Sequence, residues 1–163
     1  MTKTEDGARA EVYTMKADGT DQRKITSIGA MSWAPIFHPS GDYIIFSTNV
    51  LGFANFELYL VDGAGKREPV RVTFTPGFDG LPVFSPDGKK LCWTSGRTSD
   101  GKSQLFMAEW NHDAALAALT QAAVGDLAAL AGRVVGVHLL GNGLLLVLEL
   151  GVAHGEADGR EAR

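Results

Sequence analysis

The chain has 163 residues, 45% of them hydrophobic and 21% charged, with a net charge of −4. That composition fits one ordinary globular domain and lacks the basic face a nucleic-acid footprint needs, so no nucleic-acid partner is expected. The lone cysteine, Cys92, excludes an internal disulfide and a multi-cysteine metal site.

In chain order, residues 1–10 are polar, hold no apolar run of the kind a signal peptide needs, and read as a disordered start. Residues 11–15 and 22–26 read as strands around the turn Ala17-Asp18-Gly19-Thr20. Four strands follow at 32–37, 43–47, 56–61 and 68–73, with turns at Ser40-Gly41 and Asp62-Gly63. Tyr43-Ile44-Ile45-Phe46 is apolar on both sides of the pleat, as a strand sandwiched between two layers must be. Residues 80–84, 91–95 and 104–108 give three more strands. The first two are joined by Ser85-Pro86-Asp87-Gly88, where proline fixes φ, aspartate can bond the backbone two residues on, and glycine accepts φ > 0. A fourth strand is due next and does not appear. Instead residues 112–131 are Ala/Leu-rich at helical spacing, with Asn111 as N-cap and Gly132 as C′ residue. Residues 134–140 and 144–150 then flank Gly141-Asn142-Gly143 as a hairpin, which is expected to supply the missing strand. The apolar run 134–152 could span a membrane on length, but His138, Asn142, Glu149 and its glycines argue against it. Residues 153–163 read as a disordered charged tail.

The strands repeat. Pro35 and Pro82 stand 47 apart, as do Gly41 and Gly88. Lys24-Ile25-Thr26 matches Arg71-Val72-Thr73 in the same register, and Glu57-Leu58-Tyr59-Leu60 matches Gln104-Leu105-Phe106-Met107. Glu11-Val12-Tyr13 is a further copy with a one-residue slip. A period of about 40–50 residues holding four short strands is the signature of a β-propeller blade. The expected fold is therefore all-β: about two and a half four-stranded propeller blades over residues 11–110, followed by a C-terminal helix and hairpin over 111–152.

Phe84-Ser85-Pro86-Asp87-Gly88-Lys89 fits at every position the blade motif of the TolB-like β-propellers, and Phe37-His38-Pro39-Ser40-Gly41-Asp42 fits it loosely. The stretch Leu58-Tyr59-Leu60-Val61-Asp62-Gly63 and the Arg-x-Thr endings also resemble that family, over about residues 11–110. The resemblance implies a propeller and a protein-binding scaffold role of the Tol–Pal envelope type, in the periplasm, although the chain as written shows no export signal. It equally allows an accessory propeller beside the catalytic domain of a peptidase or hydrolase. The blade number is short of a closed ring, so the chain is expected to be part of a larger propeller or to close by association through its open blade edges.

No H-E-x-x-H, G-x-S-x-G, P-loop or full G-x-G-x-x-G occurs, so no catalytic residue, cofactor or metal is expected and the chain does not read as an enzyme. Four residues are candidates for partner binding. Trp33 is either core or lines the channel mouth, and His38 occupies the serine slot of the hairpin motif, where a plain turn role is the alternative. Leu51 and Phe53 lie on the loop 49–55, whose counterpart 96–103 is wholly polar; they form a partner interface or pack under the blade edge.

Overall fold

The computed structural model describes residues 1–4 and 9–122, together with two short strands at 138–140 and 143–145. It is built of stacked antiparallel sheets, as the repeat predicts. The first blade comprises β1 (Thr2–Thr4), β2 (Ala10–Thr14) and β3 (Arg23–Lys24), in the order β1-β2-β3. The second comprises β4 (Ser32–Phe37), β5 (Tyr43–Thr48), β6 (Glu57–Asp62) and β7 (Val70–Arg71), ordered as in sequence. The third holds β8 (Asp79–Phe84), β9 (Lys90–Ser95) and β10 (Gln104–Glu109). A helix, α1 (His112–Gln121), follows, and then the hairpin of β11 (His138–Leu140) and β12 (Gly143–Leu145).

Strand β1 departs from expectation. Thr2-Lys3-Thr4 has no apolar pattern, yet it pairs with β2, Thr2 opposite Val12 and Thr4 opposite Ala10. The N-terminal ammonium donates to the Tyr13 carbonyl at 2.7 Å. The reason is the unpaired edge of β2, whose backbone groups need partners whatever side chains the partner strand carries. The start of the chain is thus not wholly disordered as the sequence suggested.

The second blade is sandwiched. Ile44, Phe46, Tyr59 and Val61 bury one face in a cluster with Val12 and Ile25 of the first blade. The alternate residues Tyr43, Ile45, Leu58 and Leu60 bury the other against Leu91, Trp93 and Ala108 of the third. This is the period of two in which successive side chains take opposite faces.

The innermost strands carry the same irregularity. Trp33 pairs with Ser47 and Ile36 with Ile45, so β4 holds one residue more than β5 across that interval. Gly80 with Thr94 and Val83 with Cys92 repeat the pattern on β8 and β9. The extra residue is absorbed as a bulge. Within it Ala34 and Leu81, each just before a proline, take φ of 50° and 56°. The Leu81 N–H donates to Ser47 Oγ at 3.2 Å, tying the bulge of the third blade to the second.

Among the described residues the third blade has three ladder strands, and β11 and β12 are not among them. β12 passes near β10, but β11 and β12 form a separate two-stranded sheet. The residues one repeat beyond Val70 and Arg71 fall inside α1. Asn111 caps that helix as expected, its Oδ1 accepting from the Ala114 N–H at 3.0 Å. The helix ends at Gln121 with Ala122 as C-cap; the remainder of the expected helix and Gly132 lie outside the described residues. Ala115, Ala118 and Leu119 join the buried cluster that holds Leu58, Val70 and Val72.

Both motif turns close tightly on glycine. Gly88 has φ of +70°, and a Cβ there would stand 2.6 Å from His38 Nε2. Gly41 has φ of +81° with nothing within 4 Å of such a Cβ. Gly41→Ala is expected to cost the backbone penalty alone, about 1–2 kcal/mol, and Gly88→Ala measurably more because it also displaces the imidazole. Urea denaturation of the two variants side by side checks this.

Candidate functional site

Strand register places the sequence candidates at two opposite ends of the second blade. Ser32 pairs with Thr48 and Thr48 with Glu57, so Trp33 shares an end with the loop 49–55. Phe37 pairs with Ile44 at the other end, where His38 follows. Three of the four candidates are brought together and the fourth is set apart.

At the loop end Trp33 is half-buried between Phe56 and Phe78, with ring centroids 5.9 and 6.4 Å away. Its indole N–H has no hydrogen-bond partner among the described residues. The loop beside it is held by two asparagines. Asn49 Oδ1 accepts from the Met31 N–H at 2.9 Å and its Nδ2 donates to the Phe53 carbonyl at 3.3 Å. Asn55 Oδ1 accepts from the Gly77 N–H at 3.0 Å. Between these posts Leu51 is 41% exposed and Phe53 93% exposed. Neither packs under the blade edge to the extent that a core role would require. In the counterpart loop Thr98 Oγ1 donates to Asp100 Oδ1 at 2.8 Å in a polar turn.

Two buried ion pairs frame this end. The Arg71 guanidinium donates to Glu57 Oε1 at 2.6 Å, and Arg97 to Asp79 Oδ2 at 2.8 Å. Glu57 is fully buried, and Thr73 Oγ1 donates to its Oε2 at 2.6 Å while accepting from the Leu58 N–H at 2.9 Å. Burial pushes the Glu57 carboxyl up, against the pull of the Thr73 and Arg71 donors. The first blade repeats the clasp: Thr26 Oγ1 donates to Glu11 Oε2 at 2.5 Å and accepts from the Val12 N–H at 2.9 Å. The sequence carried this signal in the matched Glu and Thr positions, but nothing in it announced their contact. Asp79, although it stands beside Gly80, lies within β8 rather than in a turn and is held by Arg97.

His38 is buried at the opposite end, a position that removes its ring from the surface. Its Nδ1 faces the Ser40 N–H and hydroxyl at 3.2 and 2.9 Å, which places the proton on Nε2 for donation to the Gly88 carbonyl at 3.1 Å. The ring stacks on Tyr43 and on His112, at 4.8 and 4.7 Å between centroids. Trp110 Nε1 donates to the Tyr43 hydroxyl at 2.7 Å, and that hydroxyl lies 3.2 Å from His112 Nδ1. Burial drives the Tyr43 phenol up to about 12. This aromatic stack fixes the start of α1 to the two blades. It is packing chemistry that the lone serine-slot histidine gave no means of foreseeing.

Among the described residues no three His, Cys, Asp or Glu side chains are grouped to hold a metal ion, and no helix is long and apolar enough to cross a membrane. Most of the apolar run 134–152 lies outside the described residues.

Two outcomes follow from these geometries. Thr73→Val should destabilise the chain by about 1–3 kcal/mol, because it leaves the buried Glu57 carboxylate and the Leu58 N–H each short of a partner; a chemical denaturation series reads the loss. Burial holds the His38 imidazole below its ordinary value of 6.5. The unfolded chain therefore takes up that proton first, and the stability His38 contributes falls as pH drops below 6.5. His38→Ser, which restores the residue found in the third blade, should reduce that acid-side loss when melting temperatures are compared from about pH 8 to about pH 5.

Comparison with known proteins agrees with this geometry. The chain is 26% identical to the TolB homolog of Chlorobium chlorochromatii (strain CaD3), with 53% of this chain and 29% of that relative covered. It thus spans less than a third of the curated relative's length. A TolB structure from Acinetobacter baumannii aligns with a TM-score of 0.54 at 20% identity, covering 75% of this chain and 27% of that one. One from Agrobacterium tumefaciens aligns at 0.53 and 20%, covering 61% and 37%. Residues 1–127 match the model of the TolB beta propeller domain, and the chain belongs to that family.

Proposed function

We propose that this chain is a non-catalytic scaffold that binds a protein partner, in the manner of the envelope role its TolB-like relatives suggest, with the periplasm as the compartment. The observation that carries the reading is the loop 49–55. An aromatic side chain 93% exposed, on a loop braced by Asn49 and Asn55, is held out in one place rather than buried. Exposed apolar groups on a braced loop lose little conformational freedom when a partner covers them. The half-buried Trp33 and Phe56 beneath extend the apolar surface inward. Aromatic anchors with a polar rim are the usual composition of a protein interface centre. Arg71 and Arg97 stand at the same end, their charges paired with Glu57 and Asp79.

A photoreactive phenylalanine at position 53, in extract of the native source, is expected to give a dominant adduct of defined mass. The same probe at Asp100, on the polar counterpart loop, should not give it. Leu51→Asp should reduce the yield about tenfold, the effect of a hot-spot loss near 1.4 kcal/mol. Identical adduct patterns from both loops would overturn the assignment of this end as the binding site.

A further inference from the structure

The end of the second blade opposite the loop 49–55 carries two imidazoles face to face. His38 and His112 stack with centroids 4.7 Å apart and planes 18° from parallel. In each ring a donor faces the nitrogen where a further proton would go. His38 Nδ1 meets the Ser40 N–H at 3.2 Å, a backbone donor that cannot turn round. His112 Nδ1 lies 3.2 Å from the Tyr43 hydroxyl. That hydroxyl accepts from Trp110 Nε1 at 2.7 Å, which leaves its own proton to fill the contact with His112. Protonating either imidazole sets donor against donor, and protonating both places two like charges at stacking distance.

The groups around the pair give such charge little support. From the turn before β5, Asp42 Oδ2 lies 3.7 Å from His112 Nε2, but that carboxylate is half-exposed and screened by water. Tyr43, on β5, offers a neutral phenol. From the third blade, the Gly88 carbonyl meets His38 Nε2 at 3.1 Å. Asp87 and Lys89 flank it in the same turn, and the Asp87 carboxylate is taken up by the Ser85 hydroxyl and the Lys89 N–H. On α1 itself Asp113 is exposed in the first turn.

These rings hold the start of α1, and the remainder of the helix is held lightly. Its buried residues are Ala115, Ala118 and Leu119, two of them alanines with little area to bury. Its last turn is tied by Arg67, which donates to the Leu119 carbonyl at 2.8 Å. A helix of ten residues depends on such docking, because alone it is marginal in water.

We propose that α1 is an acid-released latch: protonation of the stacked imidazoles frees the helix and bares the Leu58, Val70 and Val72 side of the second blade while the sheets stay folded. The device lies at the end opposite Phe53 and does not rest on the scaffold reading. Release lets the rings take up protons that the docked stack excludes, so it is favoured as pH falls below the ordinary imidazole value of 6.5. Burial of His38 acts in the same direction.

Dipolar electron spin resonance on the full chain tests this. Ala117, Ser99 and Lys66 are exposed and accept spin labels as cysteines in a Cys92→Ala background. Labels at Ala117→Cys and Ser99→Cys report the distance from α1 to the third blade; labels at Lys66→Cys and Ser99→Cys report the distance between two blades. At about pH 8 each pair is expected to give one narrow distance. At about pH 5 the α1 pair should gain a second, broad population that vanishes when the pH is restored, while the blade pair stays unchanged. Asp42→Asn removes a carboxylate that offsets charge on the docked stack, so release should begin at higher pH. His38→Ser with His112→Phe keeps an aromatic ring at the start of α1 with nothing there to protonate, and should hold the docked distance at both pH values. A wild-type α1 distance that does not change in acid overturns the latch. So does a blade pair that broadens together with it, since acid would then be unfolding the sheets. A double variant that still releases only in acid, or an Asp42→Asn chain that releases only at lower pH than the wild type, overturns it as well.

Discussion

The second blade has no face that tolerates water. Its two central strands bury Tyr43, Ile45, Leu58 and Leu60 on one side and Ile44, Phe46, Tyr59 and Val61 on the other. Each large apolar side chain so buried contributes about 1.5–3 kcal/mol. Removing either neighbouring blade would expose four of them at once, more than the marginal stability of a domain this size can absorb. The first and third blades are therefore conditions of the second blade's existence. Covering a sheet with a sheet, however, moves the problem outward, because the covering blade acquires an outer face of its own.

Burial sets which faces meet, but it does not fix how far along they meet. That task falls to polar groups placed once per repeat. The Glu57–Thr73 clasp reaches from the start of β6 to the residues after β7, and by accepting from the Leu58 N–H it sets the height at which the outermost strand lies. Glu11 and Thr26 do the same for β2 and β3. A buried carboxylate with several donors is strongly directional and costly to leave unpaired, so it discriminates against a register slip that apolar contacts would forgive. The third blade carries Gln104 where the others carry glutamate, and Thr120, 47 residues after Thr73, lies in α1, where its hydroxyl donates to the Leu116 carbonyl at 2.7 Å. Among the described residues this blade has neither the clasp nor a fourth strand.

What was legible in the sequence follows from this division. Ser32–Phe37 matches its expected bounds because period-two alternation, a proline and a glycine turn all act within a few residues. The repeat exposed the sandwiched second blade because Tyr43-Ile44-Ile45-Phe46 has no polar side to offer water. Strand β1 was hidden, since Thr2-Lys3-Thr4 has no apolar pattern and pairs with β2 through its backbone. The left-handed turns at Ala34 and Leu81 were hidden as well, because φ > 0 usually announces itself through glycine. Of the candidate site, the exposure of Leu51 and Phe53 could be anticipated from a loop apolar where its counterpart is polar. The burial of His38 could not, because its stacking partner His112 lies far along the chain and outside the repeat.

That partner belongs to the element that replaces the fourth strand, and the replacement is physically asymmetric. A strand added to β10 would pair with its edge and also lie over β6 and β7 of the second blade. A helix can do only the second of these, because its backbone hydrogen bonds are spent internally and its girth keeps it well beyond ladder distance. α1 does so with Ala115, Ala118 and Leu119, small or flat enough to approach Leu58 and Val70 closely. Its first residue is held by the Trp110–Tyr43–His112 chain. Its last turn has no basic residue of its own, and Arg67 from the second blade donates to the Leu119 carbonyl at 2.8 Å instead. The helix thereby seals the outer part of the second blade without extending the third, and the far face of the third blade gains nothing from it. Leu105 and Met107 stand exposed for the same reason that Leu119 is buried: α1 covers the face behind the third blade and not the one ahead.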